Sequence, residues 1–166
     1  MEIRKLKEND VEQYLELRLE SLQKNPEAFA TSYEEEKEQP VELYKNRLKE
    51  QGLSITFGAF ENSQLIGIIT IVRENKQKLI HRANIVSTYV IPQKRGCGIG
   101  KKLLVQAMKE AQSMEGIEQL YLTVASKNQV AKHLYKSVGF DCFGTDRKAL
   151  KFQHAYVDVD HMVLYF

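Results

Sequence analysis

Cysteine is scarce: the chain has two, Cys97 and Cys142, and neither belongs to a Cys-x-x-Cys pair. Zinc ribbons and dithiol redox chemistry therefore lack their ligands, and both side chains are expected to be reduced thiols. Long hydrophobic runs are missing as well. The longest stretches free of Asp, Glu, Lys and Arg, residues 62–72 and 83–93, run to about eleven residues, well short of a membrane span. A soluble protein with no membrane partner is expected. Nor does one sign of charge dominate, because 24 basic and 22 acidic side chains leave a net +2, too balanced to argue for a nucleic-acid partner. Residues 1–8 carry mixed charges where a secretory signal places an apolar core, so a cytoplasmic location is expected. What is present is ordinary globular composition, 43% hydrophobic and 28% charged, at a length that suits one domain over residues 1–166.

Ile3, Lys5 and Leu6 suggest a short opening strand. Asn9 or Asp10 is placed to cap a helix whose Val11, Tyr14, Leu15, Arg18 and Leu22 fall on one stripe and which ends before Pro26. The acidic run Glu34, Glu35, Glu36 and Glu38 precedes Pro40, which opens a second helix through Leu43, Tyr44 and Leu48. Residues 54–60 and 64–72 read as a hairpin around Glu61-Asn62-Ser63, and a third strand of the group runs over about 82–91. Pro92 ends it. A glycine cluster then leads into a helix over 101–115, with Leu103, Leu104, Ala107, Met108 and Ala111 on its apolar face and Gly116 as its stop. Residues 119–125 have the character of a buried strand, and Val130, Ala131, Leu134, Tyr135 and Val138 recur at helical spacing up to Gly139. Residues 142–166 read as two more strands. The order is β-α-α-β-β-β-α-β-α-β-β in a single α/β domain.

The segment richest in chemistry is Val90-Ile91-Pro92-Gln93-Lys94-Arg95-Gly96-Cys97-Gly98-Ile99-Gly100-Lys101-Lys102, a strand end and a glycine turn into a helix. Glycines let backbone N–H groups converge, and the unpaired N–H groups of a helix start attract an anion such as phosphate. Lys94, Arg95, Lys101 and Lys102 crowd the positive end of the helix dipole, where each exposed cation costs about 0.3–1 kcal/mol. Stability alone would favour acids there. A P-loop is excluded because Arg95 stands where its first glycine belongs and Lys102 replaces the hydroxyl that follows its lysine. A dinucleotide fingerprint is excluded because neither Gly96-Cys97-Gly98 nor Gly98-Ile99-Gly100 is followed by the third glycine.

What remains, Arg95-x-x-Gly98-x-Gly100, resembles the pyrophosphate-binding motif of the GCN5-related N-acetyltransferase (GNAT) superfamily. The resemblance extends to the Val-x-Pro strand end before the loop. It includes Asn128-Gln129-Val130-Ala131-Lys132-His133-Leu134-Tyr135-Lys136-Ser137-Val138-Gly139-Phe140, which is similar to the superfamily's second motif. It implies a mixed, strongly twisted sheet flanked by helices and opened between the strand ending at Val90 and the strand 119–125. It further implies an N-acetyltransferase that takes acetyl-CoA as donor and transfers the acetyl group by direct attack of an amine on the thioester. By the resemblance the backbone of Val90 faces the acetyl and pantetheine part of acetyl-CoA. Arg95, Gly96, Cys97, Gly98, Ile99, Gly100 and Lys101 surround the pyrophosphate, and binding needs no metal. Asn128 matches a pantetheine-contacting position and is also a good helix N-cap. Tyr135 matches a tyrosine that protonates the departing thiolate, although its apolar helical face also suits core filling.

The attacking amine must lose a proton, so a base or a water path is required. In the branch that resembles ribosomal-protein N-terminal acetyltransferases a glutamate stands five residues before the motif Asn, but here that residue is Thr123. His81 and Glu34, Glu35 and Glu36 qualify by chemistry only. Cys97 has no evident partner base and reads as loop filler. The acceptor is an amine, small-molecule or protein, entering between the first two helices and the hairpin end. The alternative to an enzyme is a non-catalytic acyl-CoA-binding sensor that keeps Arg95, Gly98 and Gly100 without needing Tyr135. A homodimer could form through Val163-Leu164-Tyr165-Phe166 if that strand lies at a sheet edge.

Overall fold

Residues 54–90 build the centre of the molecule, because their Ile, Phe and Val side chains are apolar on both strand faces and need a helix layer on each side. In the computed structural model, which describes residues 1–49 and 53–166, they form β2 (Ser54–Glu61), β3 (Gln64–Arg73) and β4 (Arg82–Val90), an antiparallel meander. The β2–β3 turn consists of Asn62 and Ser63, both left-handed (φ 49° and 65°), as a two-residue hairpin requires. The short β1 (Glu2–Lys5) pairs with β2, and β4 pairs in parallel with β5 (Gln119–Ala125). Antiparallel β7 (Ala155–Tyr165) and β6 (Asp141–Phe152) complete a seven-stranded sheet of order β1-β2-β3-β4-β5-β7-β6.

Two apolar layers cover it. On one face α4 (Ile99–Ser113) buries Leu103, Leu104, Ala107 and Ala111 against Ile66, Ile69, Ile71 and Leu120, with Tyr135 of α5 (Gln129–Lys136) joining the same cluster. On the other face α1 (Val11–Lys24) and α3 (Val41–Arg47) bury Tyr14, Leu17 and Tyr44 against Phe60, Leu65 and Ile68. Each fully buried Leu or Ile contributes about 1.5–3 kcal/mol.

The mixed α/β class and the opening between β4 and β5 match the sequence expectation. The differences have local causes. A further helix, α2 (Tyr33–Lys37), lies inside the acidic run, started by a reciprocal Ser32–Glu35 capping box. Asp10 does not cap α1 with its side chain. It accepts two hydrogen bonds from Arg4, each 2.8 Å, and one from the Lys7 N–H. Val130, expected on the inner stripe of α5, is 84% exposed, because Tyr135 is the buried residue of this short helix. The last strand, β7, lies between β5 and β6, with β6 at the sheet edge, so it is not the edge strand on which the dimer expectation is conditioned.

Asp160 of β7 ties this end together. Its carboxylate accepts from Ser126 Oγ (2.6 Å), Thr145 Oγ1 (2.8 Å) and Lys132 Nζ (2.5 Å), joining the β5–α5 turn, α5 and β6. Lys132 above all, with the two hydroxyls, holds its pKa down to about 2. Asp160→Asn is therefore expected to lower the melting temperature at neutral pH. The carboxylate's contribution is complete above the unfolded-state value of about 4, and it is lost as the pH falls through about 2. Melting curves of both proteins should accordingly converge across that window.

Candidate active site

β4 and β5 are paired only at Arg82–Gln119, Ala83–Leu120 and Asn84–Tyr121, after which they diverge. A bulge in β4 accompanies the divergence: Ser87 and Thr88 together oppose the single residue Ile69 of β3, and Ser87 has φ +52°. A left-handed serine costs about 1–2 kcal/mol. A bulge bends its strand and increases its twist, and it re-aims the residues beside it. The result is a V-shaped cleft with the free edge of β4 on one side and the end of β5 on the other.

The glycine segment follows the C-terminal end of β4, at the open end of the cleft. After a 3-10 turn at Pro92–Lys94, Gly96 (φ +77°) and Gly98 (φ +75°) hold left-handed conformations, and α4 begins at Ile99. A side chain at either glycine would meet no atom within 4 Å, so glycine is required there by backbone angle rather than by crowding. The N–H groups of Gly96, Cys97, Gly98, Ile99, Gly100 and Lys101 have no hydrogen-bond partner among the described residues. With Lys101 and Lys102 in a first helical turn that has no acid, they form a cradle for an anion. Lys94 instead pairs with Glu61, the Ile99 side chain is buried in the core, and the exposed Cys97 thiol lies 3.7 Å from the Arg95 carbonyl.

Arg95 turns its side chain away from this cradle. Its Nε donates to the Val90 carbonyl (2.9 Å), its Nη2 donates to Asn25 Oδ1 (2.7 Å), and its guanidinium lies 5.3 Å from the centre of the Tyr89 ring. The Tyr89 hydroxyl in turn donates to Glu20 Oε1 at 2.9 Å. Burial and then the Glu20 carboxylate push Tyr89 up to about 12, so it stays a neutral donor. Sequence reasoning missed Glu20, Asn25 and Tyr89. Glu20 and Tyr89 are 69 positions apart, and nothing in an amphipathic helix distinguishes one glutamate from the next.

Across the cleft, Asn128 caps α5, its Oδ1 accepting from the Ala131 N–H at 3.1 Å, and its amide donors have no partner among the described residues. Tyr135 is 7% exposed, packed edge-on against Phe140 with ring centres 6.1 Å apart. Burial raises its pKa, and the Thr88 side chain from the β4 bulge pulls weakly the other way, so the phenol is protonated through the neutral range. Thr123 is exposed on β5 opposite His161 of β7. His81 lies at the start of β4, at the end away from the glycine segment, with its carbonyl accepting from the Glu118 and Gln119 N–H groups. Glu35 is used in a helix cap and Glu36 is buried between Arg18 and Arg47, which takes both away from the cleft. No helix of the structure is long and apolar enough to cross a membrane, and no group of His, Cys, Asp or Glu suited to a metal ion occurs among the described residues.

An acetyltransferase (GNAT) domain matches residues 3–163. The chain belongs to the GNAT acetyltransferase family. It is 34% identical over 80 residues to N-alpha-acetyltransferase of Sulfurisphaera tokodaii, covering 48% of this chain and 44% of that protein. It is 30% identical over 76 residues to spermidine N(1)-acetyltransferase of Vibrio cholerae, covering 46% of this chain and 42% of that protein. This GNAT chain thus spans about half the length of the curated relatives it matches. The yncA structure from Salmonella typhimurium, solved with its cofactor acetyl-CoA, shares the fold with a TM-score of 0.83, covering 99% of this chain and 93% of that one at 19% identity.

Arg95→Ala removes the tie between Val90, Asn25 and the loop. It is expected to weaken acetyl-CoA binding by about tenfold, the equivalent of 1.4 kcal/mol, in calorimetric titration. Unchanged affinity would show that the loop does not depend on that tie.

Proposed function

We propose that this GNAT chain, with residues 1–166 acting as one domain, transfers the acetyl group of acetyl-CoA to the nitrogen of an amine. The observation that carries the reading is the β4–β5 cleft ending in a glycine turn with six consecutive unpaired N–H groups. The cradle suits a pyrophosphate, and its Gly96, Cys97, Gly98, Ile99, Gly100 and Lys101 backbone supplies donors without any metal ligand. The free β4 edge up to Val90 presents peptide groups to the amides of the pantetheine arm, as do the amide donors of Asn128. The two relatives named above act, by name, on an amino terminus and on spermidine, and both of these acceptors are amines.

Two protons must move as the new N–C bond forms and the C–S bond breaks. Glu20, whose Oε1 accepts from the hydroxyl of Tyr89, the residue before Val90, takes the proton that the amine gives up. Tyr135 hands its phenolic proton to the departing sulfur. A buried phenol is protonated at neutral pH yet acidic enough for a thiolate, whose conjugate acid is of similar strength.

The reading is tested by titrating the purified protein with acetyl-CoA in a calorimeter and then following thiol release against a panel of amines. One-to-one binding with amine-dependent release is expected, and absence of binding would overturn the proposal. In the same assay Tyr135→Phe should lower kcat by about 10²-fold or more with little change in acetyl-CoA affinity. Glu20→Gln should lower kcat/KM at neutral pH by a similar factor. An unchanged kcat/KM would place the proton acceptor elsewhere.

A further inference from the structure

The sheet face beneath α1 and α3 continues past those helices. Ile68, buried against them, shares its side of β3 with Val72, which pairs with Asn84 of β4. Asn84 is in register with Tyr121 of β5, then Val163 of β7 and Asp141 of β6. Register partners leave a sheet on the same side. Among the described residues, none of those packed in the α1–α3 layer belongs to β5, β7 or β6. The 3-10 turn Pro26–Ala28 touches β5 and β6, yet much of the apolar surface there stays exposed.

What stands on this half is a row of touching aromatic and cationic groups. The Arg82 guanidinium carbon lies 5.0 Å from the centre of the Tyr121 ring, Tyr121 packs edge-on against Phe143 at 5.8 Å, and Phe143 meets His161 at 5.9 Å. Phe143 owes its place to a bulge, as the extra residue between Cys142 and Gly144, which pair with the consecutive residues Met162 and His161. Tyr165 extends the row from β7, opposite Gln119 of β5. Phe143 is 59% exposed and Tyr165 65%. Aromatic rings with an arginine at their margin are what the centres of protein interfaces are enriched in.

The charges on either side of the row say what fits it. Arg82, on β4, donates from Nε to His81 Nε2 at 3.3 Å, and its two Nη groups have no partner among the described residues. Asp141, exposed on β6, has none either. β4 and β6 are three strand spacings apart, about 14 Å, too far for these two side chains to meet within one chain. A twofold axis along the strands between β5 and β7 lays the β4 side of one copy over the β6 side of the other. Arg82 of each copy then faces Asp141 of the other, as a self-complementary interface requires. Pairing through the outer edge is less suited, because bulges interrupt β6 between Cys142 and Gly144 and between Asp146 and Leu150.

We propose that a second copy of this chain covers the β5–β7–β6 face, forming a twofold dimer with Tyr121 and Phe143 at its centre and an Arg82–Asp141 ion pair on each side. The interface is separate from the glycine cradle, and it does not depend on the acetyl-transfer reading.

The full chain is measured by sedimentation equilibrium over about 1–100 µM, the range that brackets a micromolar dissociation constant. A dimer is expected for wild type, and a monomer throughout that range would overturn the proposal, whatever else covers the face. Arg82→Asp and Asp141→Arg should each raise the dissociation constant at least about tenfold, 1.4 kcal/mol, and the variant carrying both should return to within about threefold of wild type. Single variants that dimerise as wild type does, or a double variant no tighter than the singles, would overturn it too. Melting curves establish that each variant is folded. Where a charge variant is not, Phe143→Asp takes its place and should dissociate the dimer, and a folded Phe143→Asp as tight as wild type would overturn the proposal.

Discussion

The separation of β4 from β5 after Asn84 is the constraint on which the other features depend. A parallel pair that stayed hydrogen-bonded along its length would leave no cleft and no free backbone edge, and α5 would lie flat against a closed sheet. The separation comes with a bulge that holds Ser87 in a left-handed conformation, so strain in one residue coincides with the opening of the functional surface.

Around the opening, polar groups are either tied to structure or kept free, and the difference follows burial and partner. Arg95 is committed to Val90 and Asn25, which fixes the end of β4 against the end of α1 and leaves the adjacent N–H groups of the loop as the anion donors. Tyr89 and Tyr135 are both buried phenols and both stay protonated, but Tyr89 is engaged by Glu20 while Tyr135 is left with a weak neighbour. Arg18 is tied through Nε to Glu36, and its Nη1 is buried with no hydrogen-bond partner among the described residues.

Much of the frame was legible in the chain because its causes are local. Strands alternating with helices announced an α/β sheet, Gly96 and Gly98 announced a turn into a helix, and Asn128 announced a helix cap, all of which the structure shows. The boundaries that slipped did so where local signals competed. The Ser32–Glu35 capping box starts a helix inside a run that reads as a solvated acidic stretch, and Asp10 is drawn off its cap by Arg4.

The sequence by itself determined the class of fold, the glycine turn with its cationic helix start and the family motifs, because helix periodicity, backbone freedom at glycine and motif spacing act over a few residues. Tertiary structure alone decided which of many glutamates meets the Tyr89 hydroxyl, where the Arg95 side chain goes and which partner Arg18 finds in Glu36. Those outcomes depend on contacts between residues far apart in the chain, and on a strand bulge whose left-handed residue is a serine rather than the glycine that would have signalled it.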